Sequence, residues 1–246
     1  MSLFALKFKD ALLEAGDGGD PDLVWALGEL RGSDGAMTEL SRPAALVAAA
    51  EVALASRLFK DKLGDDFNSF LTVEDDGGYC AIEDVLLRRD SHLWPGLSAQ
   101  TLRSSLKDAL AMLRQQVGED RRLWTWGRLH TVSFEHPLGA GGRLMRWYFN
   151  RGPAPYGGER HTINNGWFGL ASPFATTGIS SYRFIVDLAD PAHSLGMNHT
   201  GESDNPASSH YDDLIAPWLA NDYHVLDPNL AAGQPGVSAE LDLLPP

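Results

Sequence analysis

The sequence predicts an α+β chain in which a mainly helical segment, residues 1–118, precedes a strand-rich portion, residues 119–246. Two observations lead to this prediction. Up to Gly118, apolar residues recur at helical spacing between Gly- and Asp-rich breaks. After Gly118, short aromatic and β-branched runs follow, which is typical of antiparallel strands. Helices followed by strands, without regular alternation of the two, favour an α+β order.

The helices of the first half are predicted from their start and stop signals. The first begins near Leu3 and ends at the Gly16–Gly19 run, because glycine accommodates the backbone that terminates a helix. Pro21 and Pro43 each stand where a first-turn proline opens a helix. Each is followed by an apolar run, so a helix is expected after both.

A further helix is predicted from Ser98 to Val117, with Ser98 as its N-cap. Leucines recur along it at spacings of four and three, which indicates one buried stripe. They are Leu102, Leu106, Leu110 and Leu113.

Strands are predicted in the second half. Leu129–Phe134 alternates polar and apolar residues, and Leu144–Phe149 is rich in Trp and Tyr. The Gly139–Gly142 run between them is predicted to be a hairpin connection. Tyr182–Leu188 is the clearest strand, and an aromatic segment, His210–Tyr223, precedes a Pro- and Gly-rich tail.

The composition disfavours several classes of partner. The chain has 20 Lys and Arg against 33 Asp and Glu, and the net charge of −13 repels nucleic acid and anionic membrane surfaces. The longest apolar run, Ala44–Ala55, is interrupted by Glu51 and is shorter than the roughly 20 residues of a membrane span. A single cysteine, Cys80, excludes an intramolecular disulfide and a Cys-rich zinc site. The first residues are not predicted to be a secretory signal, because charges interrupt them.

The run Ser208–Asp213 contains the residue types of a Ser-His-Asp triad. Adjacent side chains point apart, however, whereas a triad is assembled from distant segments. The preferred interpretation is a short helix capped by Ser209 with Asp212 completing a capping box, and ended or kinked by Pro217.

No metal, phosphate or thiol site is predicted. His130 and His136 share a face of the predicted strand with apolar residues, which favours a buried, hydrogen-bonded histidine over a zinc ligand. Cys80 is predicted to be a small core residue. The Gly139–Gly142 run lacks the Lys-Ser/Thr pair of a P-loop. Three weaker candidates are interpreted as loops and solvated turns: His193 with His199, Asp17–Asp20, and Asp75–Gly78.

An ordered set of motifs covers about residues 120 to 226. It consists of Trp124–His130, Phe134–Leu138, Asn150–Gly152, Gly157–Gly158, Thr162–Asn164, Ser181–Arg183, Asp187–Asp190, Gly201–Ser203, Ser208–Asp213 and Trp218. In this order the set resembles the C-terminal part of the large subunit of the penicillin acylase (penicillin amidase) family, which belongs to the N-terminal-nucleophile hydrolases. Asp204 departs from the family pattern, in which a glycine follows Gly201–Ser203.

The resemblance implies an incomplete portion of a four-layer αββα fold. Family members hydrolyse linear amides in penicillins, cephalosporins or N-acyl-homoserine lactones, and a Ser at the start of the large subunit is the nucleophile. In the family, that Ser, the oxyanion-binding Asn and the calcium ligands of some members all precede the motifs matched here. The resemblance therefore assigns no catalytic, cofactor-binding or metal residue to this chain.

Further expectations follow from the resemblance. The chain is expected to be inactive alone, with the upstream portion or small subunit of the acylase as its partner and a small-molecule amide as the substrate. A complete family member is expected in the periplasm or outside the cell. A partial sheet with an unpaired edge predicts poor solubility of the isolated chain.

Alternatives to this hypothesis remain open. Removal of Met1 would leave Ser2 as an N-terminal serine, although Leu3–Lys7 resembles the start of a helix and not the strand that follows the family's nucleophile. A self-contained hydrolase built on the single thiol is another option. A third is a non-catalytic binding module, in which Trp147, Tyr148 and Trp167 line a sugar or acyl pocket.

The motif residues also have structural interpretations. The two Trp residues of Trp124–His130, Phe134 and the strand around Ile185 are predicted to form core, and the motif glycines, including Gly158, to serve turns. Arg183 and Asp187 are four residues apart in a predicted strand, so they are expected to share a face and take part in buried pairing.

Overall fold

The computed structural model describes residues 1–72, 77–87 and 97–226 and divides the chain into two compact units between Ile179 and Ser180. The architecture is α+β, as predicted. The helices are α1 Leu3–Ala15, α2 Pro21–Arg31, α3 Arg42–Leu63, α4 Phe67–Thr72, α5 Gly77–Leu87, α6 Ala99–Val117, α7 Trp126–Leu129, α8 Arg143–Phe149 and α9 Ile215–Ala220. The strands are β1 Thr131–Phe134, β2 Arg151–Pro155, β3 Gly166–Trp167, β4 Gly178–Ile179, β5 Tyr182–Ile185, β6 Leu195–Asn198 and β7 His224–Val225.

The core of the first unit is built around α3, which packs against α6, α1 and α2. Every residue from Ala44 to Ala55 is buried, because neighbours cover this part of the helix on all sides. The leucine stripe predicted on α6 is buried as well, from Leu102 to Leu113. The leucine period therefore correctly identified the buried face of α6, which is the main partner of α3.

The predicted helix caps are confirmed. The Ser98 hydroxyl accepts a hydrogen bond from the Thr101 N–H at 3.0 Å. Pro21 lies in the first turn of α2, and Pro43 lies in the first turn of α3. Gly16 follows the last residue of α1 with φ of 70°, a backbone conformation that glycine adopts without a steric penalty.

The first sheet differs from the prediction. β1 pairs with β2 in antiparallel register, with Thr131 opposite Pro155. Residues 144–149, which were predicted to be a strand, belong to helix α8, so that prediction and the hairpin at Gly139–Gly142 are wrong. The residues have no polar–apolar alternation and are largely exposed, and β2 occupies the place beside β1.

The second unit contains a three-stranded antiparallel sheet in the order β5-β6-β7. The predicted strand at 182–188 is confirmed only as far as Ile185, which is 54% exposed and is not a core residue. The predicted buried Arg183–Asp187 pairing is wrong, because Asp187 is exposed beyond the strand and its Oδ1 accepts the Ala189 N–H at 2.9 Å. Arg183 is buried and donates to the Trp218 carbonyl at 2.9 Å.

The helix predicted near Ser209 begins later than expected. α9 starts at Ile215 and its N-cap, Leu214, makes no side-chain hydrogen bond, so the predicted capping box is wrong. Pro217 is the third residue of the helix and does not end it, because a first-turn proline displaces no intrahelical hydrogen bond.

No helix of the described ranges is both long enough and apolar enough to cross a membrane. The predicted Pro- and Gly-rich tail from residue 227 and the acidic pair Asp75–Asp76 lie outside the residues that the structure describes.

One face of the second unit's sheet exposes large apolar side chains. Tyr182 and Phe184 lie on the edge strand β5, stack at 5.7 Å between ring centroids, and are 54% and 60% exposed. Across the sheet, Gly196 carries no side chain to cover them. An exposed aromatic face beside a strand edge favours self-association.

We therefore expect Phe184→Thr to reduce aggregation of the isolated chain. Threonine keeps the strand propensity and removes most of the exposed apolar surface. Light scattering against concentration measures the effect, with Leu40→Thr, an exposed position of the first unit at 76%, as the control. Equal scattering from the two variants and the parent would contradict the prediction.

Candidate functional site

The most unusual chemistry in the described residues is a group of carboxyl and imidazole side chains in the first unit, two of them buried and two half-buried. Helix α3 contributes Glu51, helix α5 contributes Glu83, and the segment after β2 contributes Glu159 and His161. Glu51 and Glu159 are only 6% and 7% exposed. Buried titratable groups of this kind mark a candidate functional site. We call these four residues the carboxyl–imidazole cluster.

His161 is held between two carboxylates. Its Nε2 lies 2.6 Å from Glu83 Oε1, and its Nδ1 lies 3.0 Å from Glu159 Oε2. A neutral imidazole has one N–H, whereas the imidazolium donates from both nitrogens. Burial alone would lower the pKa of His161, but the hydrogen bonds to Glu159 and Glu83, with the negative charges of Glu159 and Glu51, outweigh it and raise the pKa to about 9. His161 is therefore an imidazolium at neutral pH.

Glu51 is the opposite case, a carboxyl kept neutral. Two causes raise the pKa of Glu51 to about 8. The larger is burial of its side chain on the apolar helix α3, and the second is the negative charge of Glu159. Its Oε1 has no hydrogen-bond partner among the described residues, and neither has Glu159 Oε1. A protonated carboxyl is tolerated at this position because it avoids the free-energy cost of an unpaired buried charge.

The two unpartnered oxygens belong to residues that line one small cavity of about 10 Å³. Phe4, Met37 and Trp167 are among its apolar walls. The volume is about that of a single water position, so the cavity is too small for an acyl chain or a β-lactam.

Aromatic contacts hold the cluster in place. The Phe4 ring stacks on His161 with 4.7 Å between centroids. The Arg160 guanidinium lies 5.0 Å from the centre of the Tyr79 ring, and the Tyr79 hydroxyl donates to the Phe168 carbonyl at 2.9 Å. The cluster's hydrogen bonds thus link α5 to the segment after β2, and its carboxyl and imidazole groups can bind or release protons. Within the described ranges, no group of three or more His, Cys, Asp or Glu side chains has the arrangement of a metal site.

The structure gives Ser2 a capping role. Its Oγ accepts the Ala5 N–H at 3.0 Å, its own N–H donates to the Gly35 carbonyl at 2.8 Å, and the residue is fully buried. Both atoms that an N-terminal nucleophile would use are engaged in these bonds. The predicted helix start at Leu3 is confirmed.

Cys80 is not a core residue, and that prediction is wrong. It lies exposed on α5, a helix that was not predicted from the sequence. Tyr79, Ile82 and Val85 form the buried side of this helix, and Cys80 falls on the other side.

His130 is a buried, hydrogen-bonded histidine, as predicted. Its Nδ1 lies 2.8 Å from the Tyr156 carbonyl oxygen and its Nε2 lies 3.1 Å from that of Gly166. Burial lowers the pKa of His130, and its ring stacks on Trp126 at 4.4 Å. His136 lies beyond the end of β1, where its Nδ1 accepts the Leu138 N–H, so the shared strand face predicted for the two histidines is not formed.

The other candidate residues predicted from the sequence contact only their neighbours in the chain or lie apart from one another. His210 Nδ1 lies 2.9 Å from Asp213 Oδ2, both exposed and three residues apart, in a run of turns and not in an assembled triad. His193 and His199 flank strand β6, not the predicted loop. In the turn Asp17–Asp20, Asp17 Oδ1 accepts the Gly19 N–H at 2.7 Å, as expected for a solvated turn.

The predicted aromatic pocket residues do not converge. Trp147 and Tyr148 are 76% and 43% exposed on α8. Trp167 is half-buried and lines the cavity beside Glu51. Trp124, Trp126 and Phe134 are buried, as predicted for core residues.

Most of the carboxyl–imidazole cluster was not predicted from the sequence. Only Glu51 gave a signal, as the charge that interrupts the apolar run at 44–55. His161 and Glu83 are 78 residues apart in the chain, so no local spacing connects them.

Comparisons with known proteins agree with the motif resemblance. The penicillin amidase family model matches residues 1–231. Acyl-homoserine lactone acylase QuiP of Pseudomonas aeruginosa is 32% identical over 220 residues, which cover 80% of this chain and 26% of the relative. The QuiP protein of Pseudomonas fluorescens strain Pf0-1 is 33% identical over 202 residues, which cover 77% of this chain and 24% of the relative.

A second kind of relative is penicillin acylase 2 proenzyme of Pseudomonas sp. strain SE83. It is 37% identical over 94 residues, which cover 38% of this chain and 12% of that protein. The chain thus spans about a quarter of the length of the acyl-homoserine lactone acylases that it matches. With the family model matching nearly the whole chain, the conclusion is direct: this chain belongs to the penicillin amidase family.

Proposed function

We propose that this chain is part of an acylase-type amidohydrolase that cleaves the linear amide of acylated small molecules, N-acyl-homoserine lactones or β-lactams. The observation that carries the proposal is the similarity to two acyl-homoserine lactone acylases over about four fifths of the chain. The match to a penicillin acylase proenzyme supports the same reaction type, hydrolysis of an amide outside a ring.

In this proposal the chain supplies supporting structure, and the nucleophile comes from a portion of the acylase outside it. The chain's candidate nucleophiles support this division of roles. The hydroxyl of Ser2 caps a helix, Cys80 is exposed, and Ser208 to Asp213 form a local turn. None of these lies beside a base and an oxyanion-binding group in the described residues, which acyl transfer requires.

A chimera tests the proposal. The region of the Pseudomonas aeruginosa QuiP protein that matches this chain is replaced by this chain, and release of homoserine lactone and of the β-lactam nucleus is measured. We expect the chimera to retain activity and the isolated chain to have none. As the control, the same QuiP region is deleted without replacement, which should abolish activity because the deletion exposes core surface.

Two outcomes would contradict the proposal. Hydrolysis by the isolated chain would show that the nucleophile lies within it. A folded chimera with no activity on either substrate would favour the second candidate, a non-catalytic binding module. The exposed Trp147 and Tyr148 on α8 favour this second candidate, because exposed aromatic rings are common in binding surfaces.

A further inference from the structure

The carboxyl–imidazole cluster fastens one segment of the first unit to its helical core. The segment 156–168 leaves β2 and carries Glu159 and His161. His161 is bonded to Glu83 on α5 at 2.6 Å and stacked on Phe4 of α1, and Glu159 lines a cavity with Glu51 of α3. These contacts are long-range, so they hold the segment on three helices.

The charges of the cluster balance when one of its carboxyls is protonated and both of its cations are charged, and Glu51 is the carboxyl with the raised pKa. Three carboxyls, Glu51, Glu83 and Glu159, face two cations, His161 and Arg160. When all five are ionised, one negative charge is in excess in a buried site. A proton on Glu51 removes this excess, whereas loss of the His161 proton adds to it and removes one of the two N–H donors.

We propose that Glu51 and the Glu83–His161–Glu159 bridge form a proton-operated latch, which holds the segment 156–168 on the helical core when both Glu51 and His161 are protonated and releases it when they lose their protons. The latch is independent of the proposed enzymatic function.

The groups that face the latch come from every element packed against it. Helix α1 presents Phe4 and Ala5, and α3 presents Glu51. Helix α5 presents Tyr79 and Glu83, with the Tyr79 hydroxyl bonded to the Phe168 carbonyl. The segment itself presents Glu159, Arg160 and His161, so Arg160 is the permanent cation that remains when His161 becomes neutral.

The direction in which stability changes with pH follows from the pKa values of Glu51 and His161. Glu51 has a pKa of about 8 in the folded chain against 4.5 as a free side chain, and His161 has about 9 against 6.5. In both cases the folded chain binds the proton more tightly than the unfolded chain does. Stability is therefore lost as the pH rises, through 8 for Glu51 and through 9 for His161.

Urea unfolding of the full chain between pH 7 and pH 9 tests the latch. We expect the unfolding equilibrium constant of the parent chain to rise at least roughly tenfold over this range, since one unit of pKa shift corresponds to a factor of ten. Glu51→Gln keeps the shape of the side chain and cannot ionise, so its constant should rise less steeply. Glu135→Gln, an exposed position, is the matched control and should follow the parent.

Two measurements on the unaltered chain keep the test independent of any variant's folding. The NMR titration midpoint of His161 should lie above pH 8. Hydrogen exchange, corrected for the intrinsic effect of pH, should accelerate between pH 7 and pH 9 in residues 156–168 and not in α6. A His161 midpoint near 6.5, exchange that rises equally in both regions, or a Glu51→Gln profile parallel to the parent would overturn the latch.

Discussion

Replacing Trp126 with alanine is expected to lower the free energy of unfolding of the first unit by about 3–5 kcal/mol. Trp126 is fully buried, with its ring stacked on His130 at 4.4 Å and edge-on to Phe174 at 6.2 Å. Its indole N–H donates to the Gly158 carbonyl at 2.8 Å. The substitution leaves a cavity and also a buried carbonyl that has lost this donor, and both effects destabilise the fold.

Trp147→Ala is the control for this experiment. The control removes the same side chain from a site where it is 76% exposed, and it should change the free energy of unfolding by no more than about 0.5 kcal/mol. Trp126→Phe separates the two causes, because it keeps most of the ring and removes the indole donor. Urea unfolding followed by circular dichroism measures all three variants. Equal losses from Trp126→Ala and Trp147→Ala would contradict the assignment of Trp126 to the core.

Helices α1, α2, α3 and α6 were predictable because their signals are local. The cap Ser98, the first-turn proline Pro21 and the leucine period of α6 act within a few residues, and the structure forms these helices where the sequence places them. Helix α8 could not be predicted in this way. Its Trp, Tyr and Phe favour strands by propensity, but β2 pairs with β1 in their place, and that pairing is a tertiary contact.

The candidate site could be predicted only in one part. Glu51 is visible as a charge in an apolar helix, which requires either a partner or a proton. The sequence does not show which of these applies, because Glu83 and the segment carrying Glu159 and His161 approach it only in the folded chain. The family, in contrast, was predictable from the order of short motifs between residues 120 and 226. That order can be recognised in the sequence without knowing which residues are in contact.

Gly158→Ala is expected to destabilise the first unit by about 3 kcal/mol, combining the strain of a left-handed backbone with a steric clash. Gly158 has φ of +82°, and a Cβ atom there would meet the Asn164 carbonyl oxygen. The backbone cannot easily move away, because the Gly158 N–H donates to the Met37 carbonyl and its own carbonyl accepts from Trp126.

Gly28→Ala is the matched control, since Gly28 lies inside α2 with open space around its added Cβ. That variant should be more stable than the parent by about 0.5–1 kcal/mol, because alanine loses less backbone entropy in a helix.

Gly158 also precedes Glu159, so Gly158→Ala should displace the carboxylate from His161 and bring the His161 titration midpoint closer to 6.5. If Gly158→Ala and Gly28→Ala had the same stability and His161 titrated unchanged, this account of the turn would be wrong. A loss of stability with an unchanged His161 midpoint would instead confine the effect of Gly158 to the backbone of the turn.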